Sequence, residues 1–352
     1  MIESFAPGKL YIAGEYAVVE AGYPAILVAV DRGITITLKE ALDGGSITAA
    51  GSKVHWTRID GEIVLSENNS RLSYILAAMK TIEAYAKEQG KKLGYYHLGV
   101  TSQLESEAGE KYGLGSSAAV TVATVKALCK YYGLEISKKE LFKLAALANL
   151  SINKRGSAGD IAASAYGGWI YYTSFDREWV LEEVRRKSLT QLLNTPWPNL
   201  SIRALLPPKE LKLMVGWTGK PASTSKLVAK VDGRKSIDRI AYEKFLYRSK
   251  RCVEKMAEAF KKKDIEQIQK QIHVNRKLLV DLEKDLSVAI ETPLLTRLYD
   301  IALKYDGYAK SSGAGGGDCG IAIFKDDKYL PQVIEEWEKA GIRHLPVNPY
   351  YG

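Results

Sequence analysis

The stretch EKYGLGSSAAVTVATV, residues 110–125, places two glycines and two serines directly before an apolar run with the pattern of a helix. Serine often caps a helix, and glycine readily makes the turn in front of it. The same arrangement suits an anion, because free N–H groups and the helix dipole attract phosphate to a helix N-terminus. From this stretch alone both interpretations, a helix cap and an anion-binding loop, stay open.

Two further segments share this glycine-bearing character. APGKLYIAGEY, residues 6–16, is called the first glycine segment, and KSSGAGGGDCG, residues 310–320, the third glycine segment. Between them lies YGLGSSAAV, residues 112–120, which is called the glycine–serine segment. Each of the three adjoins an apolar strand or helix, and turn formation alone is a poor explanation for three such segments. The sequence lacks a G-x-x-x-x-G-K-[ST] motif and a protein-kinase catalytic loop, which excludes P-loop proteins and protein kinases.

Length and composition indicate a globular protein with more than one domain. A chain of 352 residues exceeds the size at which a single core keeps growing, and four prolines between residues 190 and 210 mark a boundary. We expect domains at residues 1–195 and 196–352. The longest apolar run is too short to span a membrane and no signal peptide is visible, so we expect no membrane partner. Three scattered cysteines and four distant histidines predict reduced thiols, a cytoplasmic location and no metal cluster built from these residues.

The net charge of +9 raises the question of nucleic-acid binding. Basic residues alternate with acidic ones, as in KKKDIEQIQKQ, and no basic–aromatic stripe follows them. We therefore expect no nucleic-acid partner and small-molecule substrates instead. A modest positive charge suits an enzyme that acts on polyanions, because it raises their local concentration.

Hydrophobic periodicity predicts a mixture of strands and helices without regular alternation, which is typical of the α+β class. Short β-branched runs over 9–19, 24–30 and 33–40 read as strands. Helices are expected over 71–90, 118–132, 138–150, 240–282 and 292–305, and the third glycine segment is expected to lead into a strand.

In this order and at these distances, the three segments resemble the GHMP kinase superfamily, along the whole chain. Within Glu107 through Ala118, the G-L-G-S-S-A of the family pattern P/E-x-x-x-G-L-G-S-S-A is matched, and the leading proline of the pattern is missing. The resemblance implies a two-domain α+β fold, with an N-terminal domain like domain 2 of ribosomal protein S5 and a ferredoxin-like C-terminal domain. It also implies ATP as co-substrate and Mg²⁺ as cofactor. Nucleotide-binding residues carried over are Lys111, Gly113, Leu114, Gly115, Ser116, Ser117 and Ala118, with the Ser117 hydroxyl on Mg²⁺ and the β-phosphate.

The resemblance also implies a catalytic pair. GSAGDIAASAYGG, residues 156–168, resembles the family segment that carries the catalytic aspartate, here Asp160. Lys9 of the first glycine segment is expected to contact it, keeping the carboxylate ionised and neutralising the transferred phosphoryl group. Mevalonate kinases hold Mg²⁺ with a glutamate about eleven positions earlier, where this chain has Asn149. Either Asn149 contacts the metal through water, or the metal relies on Ser117 and the phosphates.

Within the superfamily, the first glycine segment, GWTGKPASTSKLV at 216–228 and the third glycine segment look most like bacterial-type phosphomevalonate kinases. Transfer of the ATP γ-phosphoryl group to 5-phosphomevalonate is the expected reaction. Residues expected at the acceptor are Lys9, Tyr16, Lys111, Ser157, Asp160, Ser223, Thr224, Gly313, Ala314, Gly315 and Gly316. For Ser223 and Thr224, turn formation and helix capping remain equally good explanations. A mevalonate kinase and a non-catalytic nucleotide-binding regulator stay open as alternatives.

Overall fold

The computed structural model describes residues 1–106, 108–219, 224–235 and 238–352, and only the backbone of residues 224 and 225. Its strands are β1 (Ile2–Ala13), β2 (Pro24–Ala41), β3 (Gly45–Ala49), β4 (Ser52–Ile59), β5 (Glu62–Leu65), β6 (Tyr95–Ser102), β7 (Trp169–Thr173), β8 (Ser201–Leu205), β9 (Lys212–Trp217), β10 (Tyr308–Ser311), β11 (Cys319–Phe324) and β12 (Arg343–His344). Its helices are α1 (Ser73–Glu88), α2 (Ser116–Tyr131), α3 (Lys138–Ile152), α4 (Gly159–Tyr166), α5 (Arg177–Glu183), α6 (Leu189–Asn194), α7 (Thr224–Arg234), α8 (Arg239–Lys262), α9 (Ile265–Leu286), α10 (Pro293–Lys304) and α11 (Leu330–Lys339).

The first sheet is built around β2, the longest strand. Strand β2 pairs with β1, β6 and β7, all antiparallel, and the sheet runs β5-β4-β3-β6-β2-β7-β8 with β1 paired to β2 off that path. Residues 25–30 of β2 are completely buried. A continuous apolar run fits a strand covered on both faces, and β2 contacts α2 and α4 as well as α8. This packing fixes α2 and α4, the two helices that begin at the candidate site.

The second sheet is antiparallel, in the order β10-β11-β9-β12. Helices α10 and α11 cover it, and their apolar faces meet the strands in a separate core cluster around Leu298, Phe324 and Trp337. Strands β10 and β11 are joined by residues 312–318, most of the third glycine segment, so this segment lies at the end of the sheet where the two strands connect.

Residues 348–350 return to the first sheet. The N–H groups of Asp31 and Tyr350 donate to the carbonyls of Asn348 and Ala29, each over 2.9 Å. The N–H of Gly168, just after α4, donates to the carbonyl of Tyr350. The ring of Tyr350 packs edge-on against Phe5 of β1 at 5.1 Å between centroids. These residues therefore connect β1, β2 and the end of α4.

The predicted α+β class is confirmed, and each predicted helix corresponds to an observed one, with 240–282 divided into α8 and α9 at Lys263–Asp264. The predicted strand over 9–19 instead ends at Ala13, because Gly14 adopts φ 94° and Tyr16 φ 61°, and a 3-10 turn follows over Ala17–Val19. The first sheet includes β8, which lies beyond residue 195. The division into 1–195 and 196–352 stays a prediction. Within the described residues, no helix is long and apolar enough to cross a membrane.

Candidate active site

The three glycine segments meet around a cavity of about 400 Å³. It lies between the start of α2, the start of α4, β1 and the loop after β10. Predicted site residues on its wall are Lys9, Tyr16, Lys111, Gly113, Leu114, Gly115, Ser116, Ser117, Asn149, Ser157, Asp160, Gly313 and Ala314. Residues as far apart in sequence as Lys9 and Ala314 thus share one space, as an enzyme site requires.

The first glycine segment and the glycine–serine segment touch through their backbones. The N–H of Lys9 donates to the carbonyl of Leu114 over 2.8 Å. A Cβ on Gly8 would lie 2.9 Å from that same carbonyl oxygen. Glycine at position 8 is therefore needed because strand β1 passes directly under the loop that precedes α2.

Two glycines of the glycine–serine segment adopt left-handed backbone, with φ 79° at Gly113 and φ 83° at Gly115. A Cβ on Gly113 would lie 2.4 Å from Cγ of Asp318, and one on Gly115 would lie 3.1 Å from Cε of Lys9. The loop thus passes between these two side chains, and a methyl group would overlap Asp318 at position 113 and crowd Lys9 at position 115. Ser116 and Ser117 follow as the first turn of α2 and line the cavity. N–H groups in a first helical turn lack helical partners, so this turn suits an anion.

Asp160 lies in the first turn of α4, a helix that the sequence analysis did not predict. Ala158 precedes it at φ 57°, and the Asp160 carboxylate accepts a hydrogen bond from the N–H of Ile161 over 3.0 Å. The Lys9 ammonium donates to the carbonyl of Gly113 over 3.1 Å. Although all these residues are described, no ion pair of 4.0 Å or less joins Lys9 to Asp160. The expected direct contact is absent, and the two charged groups face the same cavity separately.

Ser157, before α4, is held by two buried tyrosines. Its hydroxyl lies 3.1 Å from the Tyr11 hydroxyl, and its carbonyl accepts from the Tyr172 hydroxyl over 2.6 Å. Burial, with the charge of Asp160 as a second cause, raises the pKa of Tyr11 far above its ordinary value. Tyr11 therefore stays protonated at neutral pH and acts as a hydrogen-bonding group.

Ser117 and Asn149, the expected metal contacts, both line the cavity, and Asn149 is only 8% exposed. Tyr74 lies beside them; burial raises its pKa, and Asp160 adds to the shift. The described residues contain no group of three or more His, Cys, Asp or Glu side chains suited to a metal. A hydroxyl and an amide oxygen are hard ligands of the kind Mg²⁺ accepts, with most of its coordination left to water and phosphate.

The third glycine segment is divided between two roles. Gly313 and Ala314 line the cavity, and the Tyr16 hydroxyl donates to the Ala314 carbonyl over 2.6 Å. Gly315 and Gly316 instead pack on residue Ile290. The Gly316 N–H donates to the Ile290 carbonyl over 2.7 Å, and a Cβ on Gly315 would lie 2.2 Å from that oxygen.

For three further predicted residues the structure gives no cavity contact. Ser223 lies outside the described residues, and Thr224 begins α7 with its side chain undescribed. Ala118 is buried in α2 behind the cavity wall.

Several cavity residues escaped the sequence analysis. They are Tyr11, Glu15, Val18, Val19, Tyr74, Leu104, Asn153, Arg155, Gly156, Val228, Ala229, Ser312 and Asp318. Arg155 pairs with Asp232 of α7 over 3.3 Å, so the wall before α4 contacts the second half of the chain. Four of these cavity residues could have been predicted from their position, because Tyr11 and Glu15 lie in the first glycine segment and Ser312 and Asp318 in the third.

Comparison with known proteins gives the family. The model of the GHMP kinases N terminal domain matches residues 73–168, and that of the GHMP kinases C terminal domain matches residues 256–343. The chain belongs to the GHMP kinase family. As a GHMP kinase it carries the glycine–serine segment, Asn149 and Asp160 within the first match and the third glycine segment within the second. The resemblance found in the sequence is confirmed.

Individual relatives of this GHMP kinase are similar over nearly its full length. It is 42% identical to the phosphomevalonate kinase of Streptomyces sp. (strain CL190), over 98% of this chain and 96% of that protein. The structure of Streptococcus pneumoniae phosphomevalonate kinase in complex with phosphomevalonate and AMPPNP matches it with a TM-score of 0.88 at 32% identity, covering 99% of this chain and 100% of that one. The mevalonate kinase of Thermococcus sibiricus (strain DSM 12597 / MM 739) is 28% identical, over 90% of this chain and 87% of that protein.

Proposed function

We propose that this GHMP kinase transfers the γ-phosphoryl group of ATP to the phosphate of 5-phosphomevalonate, giving 5-diphosphomevalonate and ADP in the mevalonate route to isoprenoids. The observation that carries the proposal is the single cavity on which the glycine–serine segment, Lys9, Asp160 and the third glycine segment converge. The identity of 42% with a phosphomevalonate kinase over nearly the whole chain supports this choice of acceptor.

The nucleotide phosphates bind at the start of α2. The first turn of this helix offers N–H groups and the positive end of the helix dipole, and Gly113 and Gly115 let the backbone approach closely. Lys111 also lines the cavity and adds positive charge. Lys9, next to the same loop, neutralises negative charge on the phosphoryl group during its transfer.

The acceptor binds between the start of α4 and the third glycine segment. Ser157, Tyr16, Gly313 and Ala314 line this side of the cavity. An oxygen of the acceptor phosphate attacks the γ-phosphorus in line, and the bond to the β,γ-bridging oxygen breaks, leaving ADP. Gly315 and Gly316 support this wall through their contact with Ile290. Ser223 and Thr224 remain part of the proposal as acceptor contacts.

Asp160 in this proposal orients ligands and balances charge. A phosphate monoester has a second pKa near 6, so roughly nine tenths of the acceptor is already a dianion at pH 7 and needs no general base. We expect Asp160→Asn to retain measurable turnover with phosphomevalonate, and wild-type activity to fall below about pH 6 as the acceptor protonates. Complete loss of single-turnover transfer in Asp160→Asn, with ligand binding intact, would instead assign Asp160 as a base.

Mg²⁺ is the proposed cofactor, held by the Ser117 hydroxyl, either with Asn149 as a contact through water or with the ATP phosphates as the remaining ligands. When bound, the ion neutralises charge on the ATP phosphates. The location proposed for the protein is the cytoplasm, which three free, buried cysteines support because reduced thiols persist there.

The decisive experiment is kcat/KM for phosphomevalonate and for mevalonate with one protein preparation, measured by coupled ADP release. Mevalonate is expected to be a poor substrate, because groups that bind the acceptor phosphate would stay unpaired. Equal or better use of mevalonate would favour a mevalonate kinase. Nucleotide binding without ADP release from either acceptor would favour a non-catalytic regulator.

A further inference from the structure

Glu15 has no role in the proposed reaction, yet it is a carboxylate only 3% exposed at the wall of the cavity. One of its oxygens pairs with the Lys310 ammonium and accepts a long hydrogen bond from the Gly313 N–H, at 3.4 Å. Its other oxygen accepts from the Asn275 amide over 3.2 Å. A buried charge without partners is very unfavourable, so this arrangement needs all three donors.

The donors come from distant parts of the chain. Asn275 lies on α9, while Lys310 lies in β10 and Gly313 in the loop that follows this strand. Lys310 is 1% exposed and also donates to the carbonyl of Ser311 over 2.6 Å. The Asn275 side chain accepts from the N–H of Gly14 over 3.0 Å. Glu15 therefore connects the first glycine segment to α9 and to the third glycine segment at once.

Neighbouring contacts repeat this connection. The Ser312 hydroxyl accepts from the Tyr11 N–H over 2.9 Å and donates to the Tyr11 carbonyl over 3.0 Å. With the bond from Tyr16 to Ala314 described above, residues 11–16 and 310–314 are fixed against each other on both sides of Glu15. The segment so fixed carries Gly313 and Ala314, which are the backbone groups proposed to face the acceptor.

We propose that Glu15 is a positioning residue: paired with Lys310, it sets the Gly313–Ala314 backbone for the anionic acceptor. The inference deepens the proposed function and rests on it. Lys310 neutralises the carboxylate, which otherwise would repel an acceptor anion in the same cavity. Buried ion pairs add little net stability compared with apolar packing, and they are best attested as devices that select one arrangement.

The test separates the two substrates. In Glu15→Gln, KM for phosphomevalonate is expected to rise at least tenfold while the Kd for ATP, measured by titration calorimetry, changes less than twofold. The reason is that the hydrogen-bond donors to Glu15 lie on α9 and at residues 310–313, and none lies in the glycine–serine segment. Glu15→Asp keeps the charge but shortens the side chain. Glu15→Asp is expected to fold even should Glu15→Gln fail to do so. It is expected to raise the acceptor KM about threefold and to leave the affinity for ATP unchanged.

The matched control is Glu83→Gln. Glu83 is another buried glutamate in an ion pair, with Arg58 at 2.6 Å, and it does not line the cavity. It should lower thermal stability without changing the acceptor KM. Parallel losses for both substrates in the Glu15 variants, or a folded Glu15→Asp with unchanged acceptor KM, would overturn the positioning role alone. Wild-type protein that fails to use phosphomevalonate would overturn the proposed function and this inference together.

Discussion

Ser117 is the residue whose hydroxyl is proposed to reach the nucleotide phosphates and Mg²⁺. Removing one contact that stabilises developing charge typically lowers turnover by roughly a hundredfold or more. Ser117→Ala should therefore reduce kcat by about that factor, while the Kd for ATP changes only a few-fold because the backbone N–H groups remain. Steady-state kinetics and calorimetry measure the two quantities.

Ser188→Ala is the matched control for that experiment. Ser188 also stands at a helix N-terminus, where it caps α6 away from the cavity. Its loss should lower the free energy of unfolding by about 1 kcal/mol without affecting kcat. Turnover in Ser117→Ala equal to that of Ser188→Ala would remove the Ser117 hydroxyl from the mechanism.

Gly113 and Gly109 provide a second pair at the same scale. Both have φ near 80°, but a Cβ on Gly109 meets nothing within 4 Å, whereas one on Gly113 collides with Asp318. Gly109→Ala should lower the free energy of unfolding by about 1 kcal/mol through backbone strain alone. Gly113→Ala should lower it by about 2–4 kcal/mol and weaken ATP binding, because strain and overpacking add. Equal losses in chemical denaturation would show that the loop can move away from Asp318.

At the scale of elements, α3 is anchored to α6 by a buried lysine. Lys143 is fully buried, and its ammonium donates to the carbonyls of Leu193 and Thr195 over 2.6 and 2.7 Å. Burial, with repulsion from Lys139 as a smaller cause, lowers the pKa of Lys143 from 10.5 to about 8. Between these two values the unfolded chain binds more protons than the folded one, so folding becomes more favourable as pH rises.

The corresponding prediction concerns the pH dependence of stability. Relative to Lys143→Met, the wild-type free energy of unfolding should increase by about 2 kcal/mol between pH 7.5 and 9.5. Urea denaturation at several pH values measures this difference, and subtracting the variant removes the contributions of other groups. A constant difference across the range would mean that the ammonium keeps its ordinary pKa in the fold.

The elements also show how far sequence reasoning reached. Long periodic helices such as α1 and α2, and the apolar run of β2, were predictable because burial imposes a pattern on the residues themselves. Helix α4 was missed because its eight residues, GDIAASAY, are too few and too small to show an apolar face. At the site, Lys9, Ser117 and Asp160 were found through their motifs. Glu15 and Arg155 were not, since their roles depend on partners in the second half of the chain.

At the scale of the whole molecule, residues 348–350 complete the first sheet and support α4. Deleting residues 348–352 removes the hydrogen bonds to Ala29, Asp31 and Gly168 and the packing of Tyr350 on Phe5. Net values near 1 kcal/mol per hydrogen bond predict a loss of at least about 2 kcal/mol in the free energy of unfolding, with lower kcat because α4 carries Asp160. Thermal denaturation and kinetics test this, with deletion of the exposed Gly352 alone as the control. An unchanged melting temperature would show that these contacts contribute little.

The pairing of residues 348–350 with β2 can form only late in the synthesis of the chain. Asn348 joins its partner Asp31 across 317 positions of sequence. At a translation rate of roughly 5–20 residues per second, the ribosome needs roughly 15–60 s to make the intervening chain. The backbone groups of residues 29 and 31 stay without these partners for that whole interval, however early β1 and β2 pair. Slower translation therefore lengthens the period in which this gap in the sheet is open to other chains.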